Sequence, residues 1–260
     1  MTEARVVFIT GASSGIGRAS ALAFVKAGYH VAGMARRADR LQTLADEITT
    51  LTVPHGDFLP VVGDATQIDD ASRAVSETVS RFGRLDILVA NAGIGHRGAV
   101  IEANWHDLET LMRLNMDGVI HAIRACVPAM KQHSGGHIMT ISSVATSMVS
   151  PYAATYAASK AFVSSLVASM RIELRKDNIK ISDFLVGRTE TEFNDVRLGD
   201  GARKKSRLPA MTAEQVADGL VRCAELPRNT VILRWFDRLI VWGNHWLPSL
   251  MGYFAARQYK

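Results

Sequence analysis

Seven short runs rich in β-branched and other apolar residues recur along the chain, each parted from the next by a stretch long enough for a helix. They are VVFIT (Val6 to Thr10), HVAGMA (His30 to Ala35), FLPVVG (Phe58 to Gly63), DILVA (Asp86 to Ala90), HIMTIS (His137 to Ser142), IKISDFLV (Ile179 to Val186) and TVILR (Thr230 to Arg234). Apolar strands joined by helices pair in parallel, because each parallel connection needs a crossover and the crossover helices cover both faces of the sheet. The pattern predicts an α/β fold, a doubly wound seven-stranded parallel sheet, whose ligands lie beyond the carboxyl ends of the strands. No linker, low-complexity tract or repeat divides the 260 residues, so residues 1–260 are expected to form a single domain.

Charge and cysteines narrow the function classes. The formal charge of +5 is scattered along the chain with no recognised motif beside it, which argues against a nucleic-acid partner. The N-terminus enters a strand at once, without the features of a secretory signal. Cys126 and Cys223 match no metal-ligand spacing and are expected to be buried thiols in a cytoplasmic protein.

Directly after the first strand comes TGASSGIG, and then a helical pattern that stops at Gly28. Gly11, Gly15 and Gly17 let the backbone turn tightly and approach a diphosphate, while the helix start offers N–H groups and a positive dipole end. At the end of the second strand, where a carboxylate would hold a free ribose, stands Ala35, followed by Arg36 and Arg37. A guanidinium forks onto phosphate, so NADP(H) is preferred over NAD(H), with Ser13 or Ser14 adding a hydroxyl. The alternative is that Arg36 and Arg37 are solvated loop charges.

Tyr156 and Lys160 stand four residues apart, on one face of a predicted helix, with only Ala157, Ala158 and Ser159 between them. A free phenol has a pKa near 10, and an ammonium beside it would favour the phenolate and make it a usable acid/base. Ser143 lies thirteen residues upstream at a strand's carboxyl end. Asn115 falls inside a helical pattern from Leu108 to Met130, where it could hold a proton-carrying water or merely distort the helix.

Thr10 to Gly17, Asp64, Asn91-Ala92-Gly93, Asn115, Ser142-Ser143, Tyr156 to Lys160 and Gly187 to Thr191 stand in an order that resembles the short-chain dehydrogenase/reductase family from Val6 to about Leu233. The resemblance implies a Rossmann-type single domain and a catalytic tetrad of Asn115, Ser143, Tyr156 and Lys160. It implies further cofactor contacts from Ile16, from Asp64 at the adenine and Ala65 beside it in sequence, from Asn91, Ala92 and Gly93, and from Gly187, Thr189 and Thr191, the last at the carboxamide. Tyr156 and Lys160 would also touch the cofactor, Lys160 through the nicotinamide ribose. One departure is Val186 before Gly187, where the family has proline, so a fixed φ is lost and a more mobile carboxamide loop is expected.

Residues 192–211 carry glycine and charge and are expected to form a mobile substrate lid, with His96, Arg97, Ala145, Val149 and Tyr152 bordering the substrate. The run Arg203 to Arg207 suits an anionic acyl thioester, while the apolar C-terminal extension, residues 235–260, suits a hydrophobic ketone, aldehyde or lipid-like substrate. Trp235, Leu239, Trp242, Trp246 and Leu250 recur there at near-helical intervals. Packing over the cleft, a subunit contact and peripheral attachment to a membrane surface all stay open. The expected function is reversible carbonyl reduction. The alternatives are a 3-oxoacyl thioester reductase and a catalytically silent sensor or scaffold that binds the dinucleotide. The resemblance also implies a homodimer or homotetramer.

Overall fold

A computed structural model describes residues 4–52, 55–201 and 209–256. Strand β1 (Val6–Thr10) leads through helix α1 (Gly15–Lys26) to β2 (His30–Ala35), and α2 (Ala38–Thr49) leads on to β3 (Phe58–Val62). Helix α3 (Ile68–Phe82) then carries the chain back across to β4 (Ile87–Ala90). Beyond it come α4 (Trp105–Met112), α5 (Gly118–Gln132), β5 (Gly136–Ser143), α6 (Ala154–Glu173) and β6 (Ile179–Val186). A two-stranded pair, β7 (Thr189–Glu190) with β8 (Met211–Thr212), precedes α7 (Ala213–Glu225), β9 (Thr230–Val231), α8 (Trp235–Trp246) and α9 (Pro248–Ala256).

The main sheet has seven strands in the order β3-β2-β1-β4-β5-β6-β9, parallel throughout. This is the Rossmann-type α/β single-domain architecture expected from the alternating pattern. Successive side chains of a strand point to opposite faces, and β1 shows why both faces must be covered. Val7 and Ile9 enter one apolar cluster with Phe24, Leu41 and Val216, while Val6 and Phe8 enter another with Val75, Val119 and Val163. The chain reverses direction between β1 and β4, and the crevice this opens at their carboxyl ends is where such sheets bind ligands.

Two elements differ from the sequence expectation for physical reasons. The seventh strand pairs only at Thr230 and Val231, because Leu233 turns away to pack where Gly219 of α7 lacks a side chain. The long helix expected from Leu108 to Met130 is broken into α4 and α5 by a π turn, Arg113–Asp117, which contains Asn115. Residues 189–190 and 211–212 close the base of the segment expected as a lid, whose basic run Arg203 to Arg207 lies outside the described residues. Both cysteines are free and buried, as expected.

Candidate active site

The turn after β1 is shaped by what its backbone cannot tolerate. Gly11 and Gly15 have φ of +72° and +52°, the left-handed region where a Cβ is costly. A Cβ on Gly17 would sit 2.2 Å from the Gly11 carbonyl oxygen, so the start of α1 lies directly on the turn. Ser14 is the N-cap of α1, yet no side chain caps that helix end. Asn91 locks the turn from the side, its Nδ2 donating to the carbonyls of Thr10 and Gly11 at 3.0 and 3.3 Å. Thr10 Oγ1 in turn accepts from the N–H groups of Asn91 and Ala92.

At the end of β2, Arg37 donates to Ser13 Oγ from Nε and Nη2 at 3.2 and 3.0 Å, and to Ser14 Oγ at 2.7 Å. Arg36 is exposed and lies 3.8 Å from the Asp64 carboxylate. The two serines and two arginines expected to read the cofactor therefore form one cationic, hydroxyl-bearing corner. Arg40 and Arg37 also approach Glu192, at 2.5 and 3.8 Å, and these cations hold its carboxyl below the usual range.

This corner opens into a cleft of about 820 Å³ that runs to the carboxyl ends of β4, β5 and β6. Gly11, Gly15, Ile16 and Ala65 line it, as do Ala92 and Gly93, and Gly187, Thr189 and Thr191 line it from the far side. Thr191 also reaches the turn, its methyl lying 3.3 Å from where a Gly15 Cβ would be. Three expected contacts do not line the cleft. Gly17 lies beneath Gly11, and the Asp64 carboxylate is turned onto Thr66, accepting from its N–H and Oγ1 at 2.9 Å.

Asn115 is the third. It is fully buried, accepts from the Ile94 N–H at 2.8 Å, and donates to the Ile94 carbonyl and to Ser159 Oγ at 2.9 and 3.0 Å. The π turn rotates its amide out of the helix register to make these bonds. Its role in the structure is to fix the loop after β4, and it stands beside Lys160: a Cβ on Gly93 would lie 3.1 Å from Asn115 Oδ1 and 3.3 Å from Lys160 Nζ.

Ser143, Tyr156 and Lys160 meet in the cleft. Lys160 is buried and donates to the Ile141 carbonyl at 2.8 Å. Burial draws its ammonium down to about 8, and the Asp183 carboxylate opposes that fall. The lowering of the Tyr156 phenol expected from Lys160 is not the dominant effect here. Burial raises the phenol, and its hydrogen bond with Ser143 opposes the rise.

The sequence reading missed the support behind these groups. Asp183 of β6 is buried and accepts from Thr140 Oγ1 at 2.8 Å and from Ser164 Oγ at 2.5 Å. Ser164 is one helical turn beyond Lys160 on α6 and also reaches Ser142 Oγ at 3.2 Å. An acid set directly before the apolar Phe184-Leu185-Val186 end of a strand run was the available signal. Phe193 was missed as well: its ring lies 5.9 Å from that of Tyr156 and packs closely on Gly95, where a Cβ would come within 3.0 Å of it.

The substrate side is walled by the C-terminus. Phe236, Ile240, Met251 and Ala255 line the cleft together with His96, Arg97, Ala145 and Val149. Tyr152, expected beside them, does not line the cleft; its carbonyl accepts from the Gly98 N–H at 2.8 Å, and its φ is +59°. Arg234 forks onto Asp237 with two bonds of 2.8 Å, and this pair presses on Gly187, whose Cβ would lie 2.3 Å from Asp237 Oδ2. The Arg234–Asp237 pair at the start of α8 thus bears on the loop where the proline is absent. The stripe of Trp235, Leu239, Trp242 and Trp246, for which packing over the cleft was one expectation, faces outward, and the other side of α8 covers the cleft.

Comparison with known proteins agrees with this geometry. A family model described as short chain dehydrogenase matches residues 5–199. The chain is 32% identical over 247 residues to an NADP-dependent 3-hydroxy acid dehydrogenase of Shigella flexneri, covering 87% of this chain and 92% of that one. An alcohol dehydrogenase from the archaeon Thermococcus sibiricus, solved with 5-hydroxy-NADP, is similar with a TM-score of 0.80 at 25% identity, over 89% of this chain and 97% of that one. A dehydrogenase/reductase from Burkholderia phymatum, solved with NAD, has a TM-score of 0.85 at 23% identity over 95% of each chain, a likeness of fold alone. The residues fit a nicotinamide dinucleotide: the uncapped start of α1 and the glycine turn leave backbone open for a diphosphate.

Proposed function

Since the chain belongs to the short-chain dehydrogenase/reductase family of NAD(P)-dependent oxidoreductases, we propose that it is an NADP(H)-dependent reductase of an apolar ketone or aldehyde. The observation that carries the proposal is a single cleft with Arg36 and Arg37 at one end and Ser143, Tyr156 and Lys160 at the other. Apolar side chains of α8 and α9 form its substrate wall.

In this reading the glycine turn and the start of α1 hold the diphosphate, and the guanidinium groups of Arg36 and Arg37 take the 2′-phosphate with Ser13 and Ser14. Asn91 to Gly93, Gly187, Thr189 and Thr191 hold the nicotinamide half, with Lys160 at its ribose. The bound nicotinamide supplies or accepts the hydride. Ser143 Oγ and Tyr156 Oη hydrogen-bond the carbonyl oxygen, and Tyr156 passes its phenolic proton to that oxygen as the alcohol forms. A phenol raised by burial keeps its proton at neutral pH, the state that reduction requires. The Lys160 ammonium then steadies the phenolate until it is reprotonated. Residues 192–211 serve as the lid, and Phe193 brings it against Tyr156.

A second reading, reduction of a 3-oxoacyl thioester, is favoured by the basic run Arg203 to Arg207. The test is NADPH consumption over a panel of apolar ketones, aldehydes and acyl thioesters, with Tyr156→Phe as the blank. Turnover of apolar carbonyls, lost in the blank, supports the proposal. Turnover confined to thioesters, and weakened by alanine at Arg203, Lys204 and Lys205, selects the second reading. No turnover of any substrate, with NADPH still bound, points to a silent sensor.

A further inference from the structure

Helix α8 is apolar on both sides. Phe236 and Ile240 face the cleft, and Asn244 is buried against the loop after β5, accepting from the Val149 N–H at 3.2 Å and bonding the Ser147 carbonyl. The opposite side carries Trp235, Leu239, Trp242 and Trp246, spaced so that a 3.6-residue period aligns them in one stripe. These tryptophans are 73, 65 and 65% exposed, and Leu247, Leu250 and Tyr253 extend the exposed apolar surface over the turn and onto α9. A helix on the surface of a globular protein ordinarily gives its polar side to water. Here the polar groups Asp237 and Asn244 are turned inward and the indoles outward.

From these observations we propose that the outer face of α8 and α9 docks on the surface of an anionic lipid bilayer. Three features select a bilayer over a second copy of the chain. Indole and phenol rings, apolar with one polar edge, are favoured at the level of lipid headgroups. The charge is one-sided: among the described residues of α8 and α9 the exposed charged side chain is Arg238, while the Asp237 carboxylate is buried against Arg234, within a chain of formal charge +5. Two such faces brought together would oppose like charges, whereas an anionic surface complements them. An open depression of about 590 Å³ beside the stripe is lined by Arg238, Trp242, His245 and Pro248, a cationic and aromatic site suited to a headgroup phosphate.

The docking is shallow. Among the described residues no helix is long and apolar enough to cross a membrane, and α8 has only 12 residues, so the pair lies in the interface plane. The support is firm, because the Arg234–Asp237 pair and Asn244 tie α8 to the body from beneath. On the reductase reading, the helix that meets lipid on one side walls the cleft on the other, so a membrane-dissolved carbonyl compound is the fitting substrate class.

The experiment is co-sedimentation of the full chain with vesicles of phosphatidylcholine alone and with about 30% phosphatidylglycerol, a content that gives an anionic surface. Tryptophan emission is followed in a Trp105→Phe background, which leaves only the three tryptophans of α8. The expected result is sedimentation with the anionic vesicles and a blue shift of the emission, with binding reduced about tenfold or more in Trp242→Ser/Trp246→Ser as apolar contact is lost. Both side chains are exposed, so the variant should fold and turn over a water-soluble carbonyl as before. Two results overturn the proposal: a protein that stays in the supernatant with both compositions, or vesicle binding unchanged in the double variant. A dimer by light scattering that the double variant dissociates, without vesicle binding, assigns the face to a second copy. Vesicle binding is read without turnover, so its failure is distinct from failure of the reductase reading.

Discussion

The nucleotide corner and the substrate wall of the same cleft are held in place by opposite means. The corner, built from residues 10–17, 34–37 and 91–93, is fixed by backbone lying on backbone, with no room for a Cβ at Gly11 or Gly17. The wall is fixed by side chains brought together from far apart in the chain: Asp237 and Arg234 over Gly187, Phe193 over Gly95, Asn244 on the loop after β5. A backbone cradle admits one ligand shape and tolerates little change. A wall of side chains can be altered without touching the cradle, and the proposed function accordingly assigns cofactor recognition to the first region and substrate choice to the second.

The largest effect is expected where the two regions meet. Tyr156→Phe should lower kcat by about 10²- to 10⁴-fold, the usual contribution of a positioned acid, while dinucleotide affinity measured by fluorescence changes little. If affinity fell in parallel, the corner and the wall would not be separable. Next comes Asp237→Ala, which removes the carboxylate partner of Arg234 and leaves its bond to the Pro209 carbonyl. Because the Arg234 end keeps some solvent, the loss of stability should be near the low end for a broken buried pair, about 3 kcal/mol. Its signature is a raised KM for the carbonyl substrate. Gly17→Ala should cost about 1–3 kcal/mol, the range for overpacking, seen as a lower melting temperature and as weaker binding of both NADPH and NADH. Equal weakening of the two would mark it as a cradle residue.

The smallest effect is a shift of pH dependence. Lys160, at about 8, is charged below that value and loses its proton above it, so turnover should fall as pH rises through about 8. The Asp183 charge favours the ammonium, and Asp183→Asn removes it while keeping partners for Thr140 and Ser164. The alkaline limb of the rate profile should then move to lower pH. An unmoved limb would mean that Asp183 serves packing alone.

The same contrast explains what could be read from the sequence. The alternation of strands and helices, the glycine turn and the Tyr156 and Lys160 pair are carried by local patterns, since positive φ, helix starts and four-residue helical spacing are written within a few residues. A distortion of the helix at Asn115 was one open alternative, but its form as a π turn was not legible, because an apolar repeat marks a helix without showing one inserted residue. Asp183 and the Arg234–Asp237 clamp depend on partners between 3 and 50 positions away or on a loop brought near by the fold, and single-residue chemistry does not name them. The tryptophan stripe shows the limit most plainly: periodicity found the stripe, but with apolar residues on both sides of α8 it could not say which side faced the cleft.

The most direct test is titration of the purified protein with NADPH and with NADH, repeated on Arg37→Ala and on Arg36→Ala. Tighter binding of NADPH, falling toward the NADH level in the variants while NADH affinity holds, is the result expected if the cationic corner reads a 2′-phosphate. Equal affinities that neither substitution changes would contradict it, and would make oxidation of alcohols with NAD the reaction to pursue.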